Sequence, residues 1–398
     1  QAEDGIRDRS PSRGLGDVYK RQLLYETIMN AAEQVGIPRN SDYNGESQEG
    51  IAMSQATIAN GRRMSTAYCY LKPIKYRTNL TILSNAQTSS LILEKKKCKG
   101  VEFFHKGAIK KVMSLREVIL CAGTINSPQL LELSGIGRPE ILKKAGIPLR
   151  HHLDGVGENL RDHYAPRTRW LIGKQGVTYN DKAKGLGLFW QGLRYVFQQK
   201  GLMANPIAPM RAFVKTRAGL EAPDALLGWV PLLYEPNYKL SKSSGVTCYA
   251  HAMRPESTGS IHIETSSPVK PPIINFNFLS AEIDIDITLK AIRIARSIMT
   301  APIMEELKIT EAAPGPEKAS DIELLEWVKE VGETTYHPVG TCKMGKDNMA
   351  VVDHKLRVHG ISGLRVADAS IMPTQVSGNT NAPSIMIGDK AADLILAA

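Results

Sequence analysis

Two stretches near the end of this 398-residue chain join a histidine, carboxamides and an acid to small residues that let a ligand come close. The first is Tyr336-His337-Pro338-Val339-Gly340-Thr341-Cys342-Lys343-Met344-Gly345. The second runs from Gly363-Leu364-Arg365-Val366-Ala367-Asp368-Ala369 to Ser377-Gly378-Asn379-Thr380-Asn381-Ala382-Pro383. His337 precedes a proline, which disfavours helical geometry at the histidine and places it in an extended loop. An unperturbed imidazole changes charge near neutral pH, which suits the type to general acid–base work. Asn379 offers an amide that can donate to a developing oxyanion but cannot exchange a proton there. Taken singly, each has a plainer reading: a satisfied structural histidine, and an asparagine doing turn chemistry in Ser-Gly-Asn-Thr-Asn. Joined to a strand closing on Asp368 and a helix opening at Ala382-Pro383, they describe a ligand site at the carboxyl edge of a parallel sheet.

The elements that hold these residues can be read from period and punctuation. Glu117 to Ala122 is continuously apolar over Val118-Ile119-Leu120-Cys121-Ala122 and ends at Gly123, which predicts a strand buried on both faces. Ser127 as N-cap, Pro128 at the first helical position, Leu130, Leu131, Leu133 and a stop at Gly135 predict the helix that follows. Asn79 to Glu94 and then Gly100 to Phe104 predict successive β-runs, with Lys95-Lys96-Lys97 and Lys99 in the intervening hairpin turn. Leu24, Ile28, Ala31, Ala32 and Val35 have helical spacing, and that helix stops at Gly36. Between about Arg167 and Glu330 the texture changes. All four tryptophans fall there, and the alternation in Ser260 to Glu264 and Ile273 to Phe278 predicts an antiparallel sheet with one wet face. Ile283, Ile287, Ile292, Ala295 and Ile298 stripe a helix over Glu282 to Met299. The chain is therefore expected to form part of an α/β domain over 23–166, an antiparallel α+β domain over 167–330, and a return to the first domain over 331–398.

The segments Gly123 to Gly137, Tyr336 to Gly345 and Gly363 to Met386 closely resemble the glucose-methanol-choline (GMC) oxidoreductases, in the same order. The resemblance spans Gly61 to Tyr164 and Arg254 to Leu396. It implies a Rossmann-like FAD-binding domain of GMC type, incomplete here, and a substrate-binding domain between its two halves. It also implies oxidation of a primary alcohol to an aldehyde by hydride transfer to FAD, because a histidine and an amide cannot themselves accept a hydride. His337 would be the general base and Asn379 the donor to the alkoxide oxygen. Asp368 and Ala369 would lie near the pyrophosphate and ribityl chain, and Thr380 and Asn381 near the flavin ring. The helix after Asn381 would aim its positive end at the ring's pyrimidine edge. Thr88 would lie near the adenine through its backbone, where relatives usually carry valine. The expected partners are a small alcohol and an electron acceptor, quinone or oxygen. Trp229, Tyr234 and Phe276 are candidates to line the alcohol pocket, although aromatics at such spacing are more often core.

There is one large departure. The family opens with a strand and a GxGxxG turn that grips the ADP half of FAD, and no such motif occurs here; Gly14-Leu15-Gly16 opens no βαβ unit. Gln1 to Gln22 instead resembles the in-frame reading of a sequencing-library adapter and is set apart from the fold. The functional expectation therefore attaches to a longer parent protein, with the chain as given an inactive fragment. Two alternatives stay open: a hydroxynitrile lyase, which some relatives of the same fold are, and a non-catalytic protein.

Composition excludes other classes. The chain is 42% hydrophobic and 23% charged, and its net charge of +10 is dispersed, without zinc-finger spacing or an aromatic-interleaved basic stripe, which argues against a nucleic-acid partner. No run of 18 apolar residues predicts a membrane span. The five cysteines are odd in number and form no CxxC pair, so they are expected to be thiols of a cytoplasm-like compartment rather than disulfides or metal ligands. No GxSxG elbow points to a serine hydrolase.

Overall fold

The computed structural model describes residues 23–235 and 239–397; the adapter-like stretch 1–22 lies outside them. The principal helices are α1 (Leu23–Gln34), α2 (Gly123–Leu133), α3 (Gly185–Gln198), α4 (Glu282–Met299), α5 (Asp321–Val331) and α6 (Asn381–Leu396). The principal strands are β1 (Gly50–Met53), β2 (Gln87–Glu94), β3 (Lys97–His105), β4 (Ala108–Met113), β5 (Val118–Leu120), β6 (Arg167–Ile172), β7 (Met210–Val214), β8 (Ala225–Val230), β9 (Gly245–Ala252), β10 (Ser260–His262), β11 (Ile273–Asn275), β12 (Ile309–Ala313) and β13 (Leu364–Val366).

One compact unit gathers residues 23–75, Tyr164–Ala252 and Ile285–Glu333. Its frame is a six-stranded antiparallel sheet in the order β1-β7-β8-β9-β6-β12. A single wet face exists at β6, where burial alternates from Thr168 to Ile172, but not at Ile273–Asn275, all of which is exposed although its alternation predicted one buried face. It does not exist at β8, where all of Ala225-Leu226-Leu227-Gly228-Trp229-Val230 is buried, as a strand covered on both faces must be. Trp229 is wholly enclosed there and is core rather than pocket lining. Its neighbour Gly228 makes room for a ring across the ladder: a Cβ there would stand 2.3 Å from the Tyr249 hydroxyl. Tyr234 bridges to Leu240 at the margin of this unit. α1 buries Leu24, Tyr25, Ile28, Ala31 and Ala32 on its apolar stripe, and α4 buries Ile287, Ile292, Ala295 and Ile298, whereas Val35, just past the end of α1, is exposed and Ile283, in the first turn of α4, is half-buried.

The second unit comprises Tyr76–His163, Met253–Asp284 and residues 334–397. The chain thus crosses between units more often than boundaries at 166 and 330 imply. β10 and β11 form a separate two-stranded ladder in this unit, not part of the large sheet, because β10 packs on α2. Phe276, just beyond β11, stacks on Phe278 at 4.7 Å between ring centroids. The hairpin turn between β2 and β3 holds only Lys95 and Lys96, while Lys97 and Lys99 lie in β3, and β2 starts only at Gln87, so the strand foreseen from Asn79 is shorter.

β5 and β13 form a parallel pair, Leu364 opposite Val118 and Val366 opposite Leu120. Only Leu120 of β5 is buried, and Ile119 is 40% exposed, contrary to the expected double burial. Among the described residues β5 has one ladder partner, so one side of it stays open. The helix after it also begins earlier than Ser127-Pro128 suggests. Gly123 takes φ +80, which turns the chain directly from strand into α2 and leaves Pro128 inside the helix. A proline has no N–H for the carbonyl four residues back. That carbonyl, Thr124 C=O, accepts the Thr341 hydroxyl at 2.6 Å instead. Ser127, freed from capping, donates to the Asp368 carboxylate at 2.6 Å. The core beneath includes Leu131, Ile136, Val156, Val339, Val352 and Val366.

Candidate active site

His337 stands in a loop that its own flanks fix. Tyr336 before it has φ +62, an uncommon value for a bulky residue, and Tyr336 N–H bonds the Thr334 hydroxyl at 2.9 Å. The backbone of His337 is held at both ends. Its N–H donates to Asp162 Oδ1 at 2.9 Å, and its carbonyl accepts from Gln375 Nε2 at 2.9 Å. Asp162 and Gln375 are both buried, so the histidine is anchored from below while its ring remains half-exposed. Asp162 also accepts from the Thr334 hydroxyl. Burial pushes the Asp162 carboxyl up to about 6, outweighing the hydrogen bonds that favour its charge.

A chain of hydrogen bonds sets the proton positions on the ring. His163 is fully buried, and its Nε2 lies 2.7 Å from the Met253 carbonyl, which can only accept. His163 Nε2 therefore carries the proton of the neutral ring, and His163 Nδ1 is an acceptor. That atom faces His337 Nδ1 at 3.0 Å, so the proton of a neutral His337 sits on its Nδ1. The Thr335 hydroxyl, which donates to the His163 carbonyl at 3.2 Å, offers a lone pair to the same Nδ1–H at 2.9 Å. His337 Nε2 therefore carries no proton in the neutral ring, and Asn379 Nδ2 donates to it at 2.9 Å. Asn379 is exposed, so the unprotonated nitrogen and its amide partner open outward from this unit.

The remaining predicted site residues fall into two groups. Thr380 and Asn381 open α6 immediately after Asn379, and the Thr380 side chain makes no cap bond to the first N–H groups of that helix. Asp368 and Ala369 lie at the end of β13, beside the start of α2. The Asp368 carboxylate is taken up by protein donors: Oδ2 by Gly123 N–H at 2.9 Å and the Ser127 hydroxyl, Oδ1 by Ser370 N–H at 2.8 Å. It locks the strand-to-helix turn and leaves backbone, not carboxylate, to face a ligand. The Ala369 carbonyl accepts Gly340 N–H at 3.4 Å, tying this turn to the histidine loop. Thr88 lies apart, near the start of β2 opposite Phe103.

Sequence reading missed Asp162, His163 and Gln375. An Asp-His dipeptide in an aperiodic stretch carries no signal by itself; its meaning comes from a partner 174 residues away. Among the described residues no group of three or more His, Cys, Asp or Glu is placed to hold a metal, and all five cysteines are free thiols.

Two family models match the chain, both described as GMC oxidoreductase, over residues 16–165 and 255–388. An oxygen-dependent choline dehydrogenase of Vibrio vulnificus is 39% identical over 376 residues, which cover 94% of this chain and 67% of that protein. Its counterpart in Klebsiella pneumoniae is 40% identical over the same length, covering 94% and 68%. Among solved structures, a point variant of Aspergillus oryzae formate oxidase superposes with a TM-score of 0.87 at 26% identity, over 94% of this chain and 70% of that one. Pyridoxine 4-oxidase from Mesorbium loti gives a TM-score of 0.81 at 25% identity, over 94% and 69%.

Proposed function

The chain belongs to the GMC oxidoreductase family, FAD-dependent enzymes acting on CH–OH donors, and we propose that in its FAD-holding parent protein it oxidises a primary alcohol to the aldehyde with His337 as general base. One observation carries this reading: the unprotonated Nε2 of His337, whose tautomer follows from the His163–Met253 chain and which meets the Asn379 amide at 2.9 Å. His337 Nε2 accepts the hydroxyl proton of the alcohol. The Asn379 amide, already directed at this point, donates to the oxygen as negative charge develops on it. Since an amide cannot take up a proton, base chemistry rests on His337 alone. Bound FAD supplies the acceptor for the hydride that leaves the carbinol carbon.

The residues present fit the ring end of that cofactor. The N–H groups of Asn381 and Ala382 open a 16-residue helix without a side-chain cap, and Pro383 has no N–H to add. Such an uncapped positive end suits a pyrimidine edge that gains negative charge. Gly123 at φ +80, with nothing within 4 Å of the place a Cβ would occupy, leaves an open backbone approach beside Ala369 for the ribityl and phosphate portion. We assign Thr88 to the adenine end on the family resemblance alone.

The relatives named for choline make choline one alcohol to test, against benzyl alcohol and short 1-alkanols, under anaerobic conditions with FAD-loaded protein. Bleaching of the flavin by one of them supports oxidation. A flavin that stays oxidised while cyanohydrin is cleaved would make the protein a hydroxynitrile lyase. His337→Ala should then lower kcat by a factor on the order of 10² to 10⁴ with FAD content unchanged. Near-normal turnover would remove His337 from the mechanism.

A further inference from the structure

α3 turns its apolar face the wrong way for a helix of a water-soluble fold. At 3.6 residues per turn Val196, Phe189, Leu193, Leu186, Phe197 and Trp190 fall within one arc of about 120°. None of the 14 residues of α3 is buried, and Leu186, Trp190 and Phe197 are 78%, 65% and 79% exposed. The opposite side, with Gly187, Gln191 and Gly192, is the better covered one, and Gln191 Oε1 accepts Leu202 N–H at 3.3 Å. Met203 and Ile207, just past the helix, add further exposed apolar surface. Patches of this kind mark a surface that something else covers.

Charge indicates what covers it. No acidic residue occurs from Lys182 to Leu220, while Lys182, Lys184, Arg194 and Lys200 flank or interrupt the helix. Lys184 Nζ reaches the carbonyl of the exposed Lys242 at 2.7 Å, which brings another cation alongside. A second copy of the chain packing symmetrically on this helix would set these cations against one another with no acid in the segment to offset them. The helix is about 21 Å long at 1.5 Å per residue, too short to span a bilayer core of about 30 Å. An aromatic and aliphatic face edged by lysine and arginine is what lies flat in a lipid interface. We propose that α3 docks this protein on a membrane surface that contains anionic phospholipid, with Leu186, Phe189, Trp190 and Phe197 entering the acyl boundary and Lys184, Arg194 and Lys200 meeting headgroups.

The test is sedimentation of the full chain with vesicles of phosphatidylcholine containing about 30 mol% phosphatidylglycerol, against pure phosphatidylcholine. Binding should be at least about tenfold tighter to the anionic vesicles and weaken with added salt. Trp170, Trp229 and Trp327 are buried, so a blue shift of tryptophan emission on vesicle addition reports Trp190. Trp190→Ser with Phe197→Ser should abolish the partition, and Lys184→Glu with Arg194→Glu and Lys200→Glu should erase the preference for anionic lipid. Both variants change exposed side chains, and circular dichroism checks that they fold. Equal binding to both vesicle types, no binding to either, or a solution dimer dissociated by the Trp190/Phe197 variant would overturn the proposal. None of these readouts depends on catalysis.

Discussion

At the scale of single residues, the position of one proton on His337 depends on what faces its other nitrogen. His163→Phe removes the Nδ1 acceptor and leaves that proton to the Thr335 hydroxyl. The expected result is a fall in kcat of about 10- to 100-fold, smaller than for loss of His337, because the base survives in a less defined tautomer. A positioning role also predicts that the pH–rate profile shifts; an unchanged profile with lower protein stability would make His163 merely structural. Asp162 supplies a second residue-scale test. Its carboxyl is raised from 3.8 to about 6, so over that window the folded protein keeps a proton that the unfolded chain has released. Stability therefore falls as pH rises from 3.8 to about 6 and is flat above. The upper limit of the effect is about 3 kcal/mol. Asp162→Asn, which retains an acceptor for His337 N–H, should flatten urea-denaturation stability across that window; an unaltered slope would clear Asp162 of the effect.

At the scale of elements, α2 shows how a helix tolerates a proline that capping rules would place at its start. The carbonyl left over by Pro128 is that of Thr124, and its substitute donor, Thr341, comes from the loop that carries His337. Thr341→Val keeps the shape of a fully buried side chain and deletes only that donor. It should cost about 1 to 3 kcal/mol in chemical denaturation, the penalty for an unsatisfied buried carbonyl. A loss well under this range would mean that the helix bends to find water. The same hydrogen bond ties the helix after β5 to the histidine loop, so the variant should also raise the alcohol KM or lower kcat beyond its effect on stability.

For the molecule as a whole, stability in the second unit depends on a charged knot that joins three distant passages. His262 of β10 lies 2.7 Å from Glu132 of α2 and 3.0 Å from Glu158, and Arg138 pairs with Glu158 at 3.2 Å. Gly157 packs so closely that a Cβ would stand 2.9 Å from the His262 ring. Burial pulls the imidazole pKa down, but the two carboxylates outweigh it and hold His262 up at about 9, against 6.5. The stabilisation is therefore fully present below pH 6.5 and is lost as pH rises through about 9. His262→Gln should destabilise most near pH 6, by about 3 kcal/mol at most, and least near pH 10. Equal destabilisation at both pH values would show that packing, not charge, is what His262 contributes.

The sequence by itself determined what depends on near neighbours. The stripes of α1 and α4 come from 3.6-residue spacing, and the turn between β2 and β3 from consecutive lysines. The family resemblance, carried by long segments around Gly123, His337 and Asn379, also lies wholly in the sequence. Only the tertiary structure decided the rest. Whether β5 is covered on one face or two depends on what packs above and below the β5–β13 pair, and whether Pro128 starts a helix or sits inside one depends on a hydroxyl from residue 341. The partners that set the tautomer of His337 come from His163 and Met253, and the outward face of α3 is visible only once its surroundings are known. Periodicity reports what a segment prefers to bury. It carries no record of which remote side chain arrives to satisfy a freed carbonyl or a ring nitrogen, because that contact forms only when the chain closes loops of a hundred residues and more.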